Sequence, residues 1–326
     1  MTGREIRISG LLGVAVLALF ALSLMAGKVW VGPSTWLHDS RAWWIIAELR
    51  LPRAILATAI GAVLGLSGAV LQGYLRNPLA DPALIGVSSS AALGAVIAMF
   101  VGAAVSPLPL FLSAMAGAAA AMLLLGLLAG RSGNPIAFIL AGMVLSSLSG
   151  SLTAFILSIA PNPFAVSEIL TWLMGALTDR SFADIRLALL PMLLGALILA
   201  ATARSLDLLN LGEDSARSLG VNLGRVQALV VAGTGLAVGA SVAVSGVVGF
   251  VGLIVPHLVR PLVGQRPSAL LLPSALGGAA LLLAADSVVR LTPGAGEVRL
   301  GIAMSLIGAP FFFALLLSLR KRAPWG

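Results

Sequence analysis

Ionisable side chains are scarce here, so each has to be accounted for. The 326 residues hold 12 acids, 20 bases, two histidines and no cysteine. Catalysis at membrane depth would need a paired set, such as HExxH or two facing acids, and the sequence contains neither. Without cysteine there is no thiolate metal site and no redox pair. The two lysines, Lys28 and Lys321, lie outside any GxxxxGK[ST] context, so the chain carries no phosphate loop of its own. His257 follows Pro256 in an interrupted apolar stretch. A single imidazole without a companion ligand points to contact with neighbouring backbone rather than to haem or metal. Asp286 stands in an apolar run four residues before Arg290, a spacing that pairs the two on one helical face. Proton coupling is the sharper alternative for that acid.

The densest polar stretch is 207–225, DLLNLGEDSARSLGVNLGR, between long apolar runs. Its order suits a short helix in water: Glu213 and Asp214 begin it, Arg217 follows one turn later, and Gly220 ends it. The plain alternative is a connecting loop.

The elements around these residues are apolar. The chain is 59% hydrophobic and 10% charged, with mean hydropathy +1.07. A soluble protein has roughly 25% charged residues, so this is a polytopic membrane protein. The net charge of +8 does not indicate nucleic acid, because basic residues also gather at the ends of membrane spans. Spans are expected at 8–27, 54–75, 110–130, 136–160, 187–203, 226–248, 269–289 and 300–319, with shorter apolar stretches between them. The first is too long for a signal-peptide core and is read as a retained span. The tryptophans between 28 and 53 suit an interface, and 169–178 is expected at or dipping into one. The path gives about ten spans with both ends cytoplasmic. Of the 20 Lys and Arg, twelve fall inside and eight outside, a modest bias that supports the orientation and leaves the outer face positive.

Two stretches break the apolar pattern, 76–90 (RNPLADPALIGVSSS) and 249–260 (GFVGLIVPHLVR). Each follows a long span. Interrupted segments in corresponding halves indicate an internal repeat lining a substrate path, and such backbone needs protein cover. Gly61 and Gly65 form a GxxxG, a weak signal in a chain with 37 glycines.

Several long stretches, in order, resemble the iron-chelate and vitamin B12 permeases of ABC importers. They are LRLPRAILATAIGAVLGLSGAVLQGYLRNPLADPALIGVSSSAALG (49–94), LGEDSARSLGVNLGR (211–225), SGVVGFVGLIVPHLVR (245–260), ADSVVRL (285–291) and SLIGAPFFFALLL (305–317). The resemblance implies an all-α fold of the type II importer permeases, with ten transmembrane helices in one permease domain over 1–326. It implies a homodimer with the path at its axis, two copies of a separate ATPase on the cytoplasmic face, and a periplasmic binding protein. The location implied is the bacterial inner membrane. The chain itself would be no enzyme and would hold no cofactor or metal. Its cargo would be a siderophore-bound iron, haem or cobalamin.

The resemblance also assigns roles. Leu211, Gly212, Glu213, Asp214, Ser215, Ala216, Arg217, Leu219 and Gly220 match the element, about 205–225, that couples to the ATPase. Arg50, Arg53 and Arg290 match outer arginines that receive acids of the binding protein, for which a planar guanidinium is suited. Interfacial anchoring by snorkelling is the plainer account of all three. Asn77, with the facing turn Gly133, Asn134 and Pro135, matches a cytoplasmic gate; a turn stabilised by the Asn77 amide is the plainer account. One departure is Glu297-Val298-Arg299-Leu300-Gly301, where the family commonly has Glu-Leu-Pro. Arg299 adds outer positive charge and puts the usual loop shape in doubt. The rival from another class, a transporter driven by an ion gradient, would carry several intramembrane acids.

Overall fold

The structure, a computed structural model, describes residues 2–36, 40–104, 106–130, 135–293 and 296–322. Its long helices follow from apolar runs punctuated by caps and prolines. α1 (Gly3–Met25) starts with a capping box between Thr2 and Glu5. Two short helices, α2 (Pro33–Trp36) and α3 (Ser40–Trp44), lead through a π-helical stretch, Ile45–Arg50, into α4 (Leu51–Tyr74). The second long helix therefore begins well before the expected start at 54, with no break between Ser40 and Tyr74. A 3₁₀ turn (Pro82–Ile85) and α5 (Val87–Phe100) follow. Then come α6 (Pro107–Ala129), α7 (Pro135–Ser158), α8 (Pro163–Leu173) and α9 (Phe182–Ala200). Three of these four open on a proline, whose missing N–H costs nothing in a first turn. Two short helices, α10 (Ala203–Leu209) and α11 (Glu213–Ser218), come next. The chain closes with α12 (Leu223–Ser245), α13 (Val251–Val263), α14 (Pro267–Leu291) and α15 (Leu300–Arg322).

Among the described residues, eight helices are long and apolar enough to cross a membrane. The apolar helices α5 and α13, each entered through a broken segment, are shorter than a full crossing; counted with the eight they give the expected figure of about ten. The other short one, α8, overlaps only in part the stretch 169–178 expected at an interface.

α4 and α12 form the centre, with 78% of the apolar window of each buried, against 6% for α1. A helix apolar all round is at home in such a centre. α4 meets α14 through glycines: a Cβ on Gly61 or Gly65 would collide with the backbone of Gly278 and Ser274. The GxxxG that carried little weight in the sequence thus lies at a close crossing in the core, where small residues let two backbones touch.

The two broken segments meet between these helices. The Gln72 amide donates to Ala80 O (3.4 Å) and Gly252 O (3.2 Å), one carbonyl from each segment. A Cβ on Gly252 would lie 2.7 Å from Pro82 Cδ and 3.0 Å from Leu64 O. The cover expected for non-helical backbone is supplied mutually. The segments are also built alike. α5 is preceded by Gly86 (φ 80°) and α13 by Phe250 (φ 68°), both left-handed. Gly86 sits against Gly142 and Leu145 of α7, and Phe250 sits against Gly308 of α15, in each half the second helix after the short one.

Candidate functional site

The polar island becomes α10, a glycine turn and α11. α11 has only six residues, too few to be stable alone, so its neighbours hold it. Gly212 (φ 104°) leads in and Gly220 (φ 86°) leads out, both in the left-handed region that glycine tolerates. Ala216 is fully buried and anchors the turn, and its carbonyl accepts from Val221 N–H (2.9 Å). Glu213 and Asp214 stand in the first turn and Arg217 in the last, as the dipole favours. Ser215 lies exposed beside Asp214, while Leu211 (64% exposed) and Leu219 (59%) present apolar surface on either side. Charged and apolar groups side by side on a short projecting element make a surface suited to a protein partner.

This element is tied to two helices. Arg76 Nη2 donates to Glu213 Oε1 at 2.7 Å, joining α11 to the chain just past α4. Asp207 on α10 accepts from Ser268 N–H (2.9 Å) and Ser268 Oγ (2.6 Å), joining it to the first turn of α14. α10 was not expected, because the polar stretch 207–225 read as a single short helix beginning at Glu213.

Asn77 sits in the first broken segment, where its side-chain oxygen accepts from Leu79 N–H (2.9 Å). The turn-stabilising role is therefore filled. Of the turn expected to face it, Pro135 opens α7, whereas Gly133 and Asn134 lie outside the described residues. The two regions do adjoin: Tyr74 of α4 and Phe138 of α7 stack edge to face with centroids 5.4 Å apart.

At the start of α4, the end opposite Arg76, the structure gathers Arg50, Arg53 and Arg290 into one cluster and turns them inward, at 8%, 7% and 4% exposure. Arg50 donates to the carbonyls of Leu24 (3.0 Å), Met25 (2.6 Å) and Val29, around the C-terminus of α1. Arg290 donates to Ser23 O (2.9 Å) and Ala26 O (3.1 Å). These two guanidiniums supply partners for helix-end carbonyls that have none within the helix. Arg53 forks onto Asp286, with Nε and Nη2 each 2.9 Å from Oδ1, and its Nη1 reaches Glu297 at 2.8 Å. Asp286, fully buried, also pairs with Arg290 at 3.1 Å. The expected i,i+4 pair is there, but both carboxylate oxygens are engaged by arginine. The Arg53 half spans 233 residues of sequence, a distance no local spacing could disclose. Glu297 extends the cluster to Thr178 (3.3 Å), in the loop before α9. The three arginines, with Lys28, Arg180 and Glu297, line one outer cleft of about 310 Å³.

A second outer cavity of about 490 Å³ is lined by Met99, Phe164, Glu168, Trp172, Arg180 and Arg299, among others. Arg299, the departure noted in the sequence, therefore faces a cavity. His257 rests edge-on against Phe311 of α15, ring centroids 5.8 Å apart. Among the described residues no group of three or more His, Cys, Asp or Glu is placed to hold a metal ion.

The model of the FecCD transport family matches residues 15–318. A cobalamin import system permease protein of Halobacterium salinarum is 41% identical over 281 residues, covering 86% of this chain and 75% of the relative. A vitamin B12 import system permease protein of Escherichia coli is 38% identical over 314 residues, covering 95% of this chain and 94% of the relative. Among solved structures, a metal-chelate type ABC transporter in an inward-facing conformation superposes with TM-score 0.86 at 34% identity, covering 96% of this chain and 99% of that one. PsaBC from Streptococcus pneumoniae, in complex with Fab, gives TM-score 0.51 at 16% identity over 86% of this chain and 92% of that one, a likeness of fold alone. Matched from within α1 to within α15, the chain belongs to the FecCD transport family and is a multi-pass permease of the ABC importer type.

Proposed function

We propose that the chain is the translocating half of an importer whose ATP hydrolysis takes place in a separate subunit, with a large metal chelate as cargo. The single observation that carries this is the exposed inner element around α11, tied by side chains to α4 and α14, in a chain that has no phosphate loop. A soluble ATPase docks over Leu211, Leu219 and the charges between them. Two copies of the chain pair in the inner membrane with both termini cytoplasmic, and the path runs between them. A periplasmic binding protein docks on the outer face at the cleft of Arg50, Arg53 and Arg290. Asn77 and the turn before α7 close the path on the inner side. A corrinoid is the first cargo to test, because two permeases 41% and 38% identical are named for cobalamin and vitamin B12 import. Haem and a siderophore-bound iron are the other members of the class. Gradient-driven transport is disfavoured by Asp286, whose oxygens are both taken by arginine.

The test is uptake into proteoliposomes containing the chain, its ATPase and its binding protein, with cobalamin, haem and a ferric siderophore in parallel. Accumulation of one cargo that needs both ATP and the binding protein is the expected result. Uptake driven by a proton gradient without ATP would overturn the reading.

A further inference from the structure

α4 ends in a motif that favours glycine, and it has arginine there instead. The helix C-cap is Leu75, so Arg76 holds the next position, with φ 50°. Asn77 N–H then reaches back to Gln72 O at 3.1 Å. This is the Schellman ending, in which glycine is usual because a Cβ strains the left-handed backbone. The backbone at Arg76 is better served by glycine, so the side chain must answer to something else. It makes one charged contact, to Glu213 at 2.7 Å, in the first turn of α11. Both partners are partly exposed, with side chains 37% and 29% accessible, and such a pair adds little to folding.

The position explains why it is held. Asn77 comes directly after Arg76 and shapes the first broken segment. Gln72, one turn back, bonds to Ala80 and Gly252, and Arg260 of α13 donates to it at 2.7 Å. From Glu213 a continuous chain of polar contacts therefore runs through Arg76 and the end of α4 into both broken segments. Its most exposed link among the described residues is the ion pair.

We infer that Arg76 and Glu213 form the link by which movement of α11 is passed to the broken segments that line the path. Both are positioning residues, acting through the Asn77 turn and Gln72. The inference rests on the permease reading above. A rigid element shifts an interface only if something bistable is attached to it, and a half-exposed ion pair between two backbones can be strained, broken and remade without unfolding either.

The experiment uses the complete reconstituted importer and reads cargo moved per ATP hydrolysed, with thermal unfolding of each variant alongside. Arg76→Gly should leave the unfolding temperature unchanged or higher, since it relaxes the backbone, yet lower cargo per ATP about fivefold, within the range of known coupling mutations. Arg76→Glu and Glu213→Arg should each do the same to coupling, and the two together should restore it. In case a reversal fails to fold, Arg76→Gln and Glu213→Gln supply a second cycle, whose double variant should lose no more than either single one. Unchanged cargo per ATP in Arg76→Gly, or additive losses in the glutamine cycle, would overturn the inference while leaving ATP-driven uptake by the unaltered protein intact. Absence of ATP-driven uptake in the unaltered protein would overturn the permease reading itself, and the inference with it.

Discussion

The outer and inner faces use the same materials, arginine and carboxylate, to opposite ends. Outside, Arg53, Asp286, Arg290 and Glu297 form a network in which the two arginines and Asp286 are at most 7% exposed. Inside, Arg76 with Glu213 and Arg266 with Asp207 stand at the surface. Buried charges with one partner removed are costly, whereas exposed pairs are cheap to break. The outer network therefore fixes α1, α4, α14 and the entry to α15 as one body. The inner pairs tie α10 and α11 through charges that are cheap to break. The proposed importer has use for both: one face that holds its shape and one that transmits movement.

The contrast can be broken most directly at Asp286. Asp286→Asn leaves the buried Arg290 without its carboxylate and Arg53 with Glu297 alone, at a cost of about 3–5 kcal/mol. The expected outcome is a large fall in unfolding temperature and folded yield in detergent; an unchanged midpoint would mean that the network holds nothing together. Gly65→Val should come next, because its side chain must push α4 off Ser274 of α14, with a loss of about 1–3 kcal/mol from overpacking. Arg50→Gln releases the carbonyls at the end of α1 and should cost about 2 kcal/mol. Limited proteolysis near Lys28 checks it, since a loosened α1 exposes the following loop. On the inner face, Arg76→Gln should change stability by less than about 1 kcal/mol, and that small change should vanish in high salt. The smallest structural effect belongs to Leu211→Ser with Leu219→Ser. The variant should unfold like the original protein and yet fail to co-purify with its ATPase.

Much of this was legible in the sequence, and the exceptions share a cause. The island announced α11 because its acids, arginine and glycine follow one another locally. Asp286 and Arg290 announced their pair by helical spacing. The broken segments showed themselves through proline and glycine in apolar surroundings. Contacts between distant residues stayed hidden: Arg53 to Asp286, Arg76 to Glu213, and Gly65 to Ser274. The start of the second long helix was misplaced because Trp43 and Trp44 read as interface residues, whereas here a π-helical stretch carries them into α4. The three outer arginines read as exposed because arginine at a span end usually is; only the fold shows the carbonyls and acids that take them in. Gly133 and Asn134 lie outside the described residues, so the gate proposed with Asn77 rests on its Pro135 side and on the adjoining Tyr74 and Phe138.

The most direct test of the account is the rate of ATP hydrolysis by the permease bound to its ATPase in nanodiscs, with and without cargo-loaded binding protein on the opposite face. The account predicts that the binding protein raises hydrolysis across the membrane, and that Leu211→Ser with Leu219→Ser abolishes the rise. A rate equal to that of the ATPase alone, indifferent to the binding protein, would contradict it.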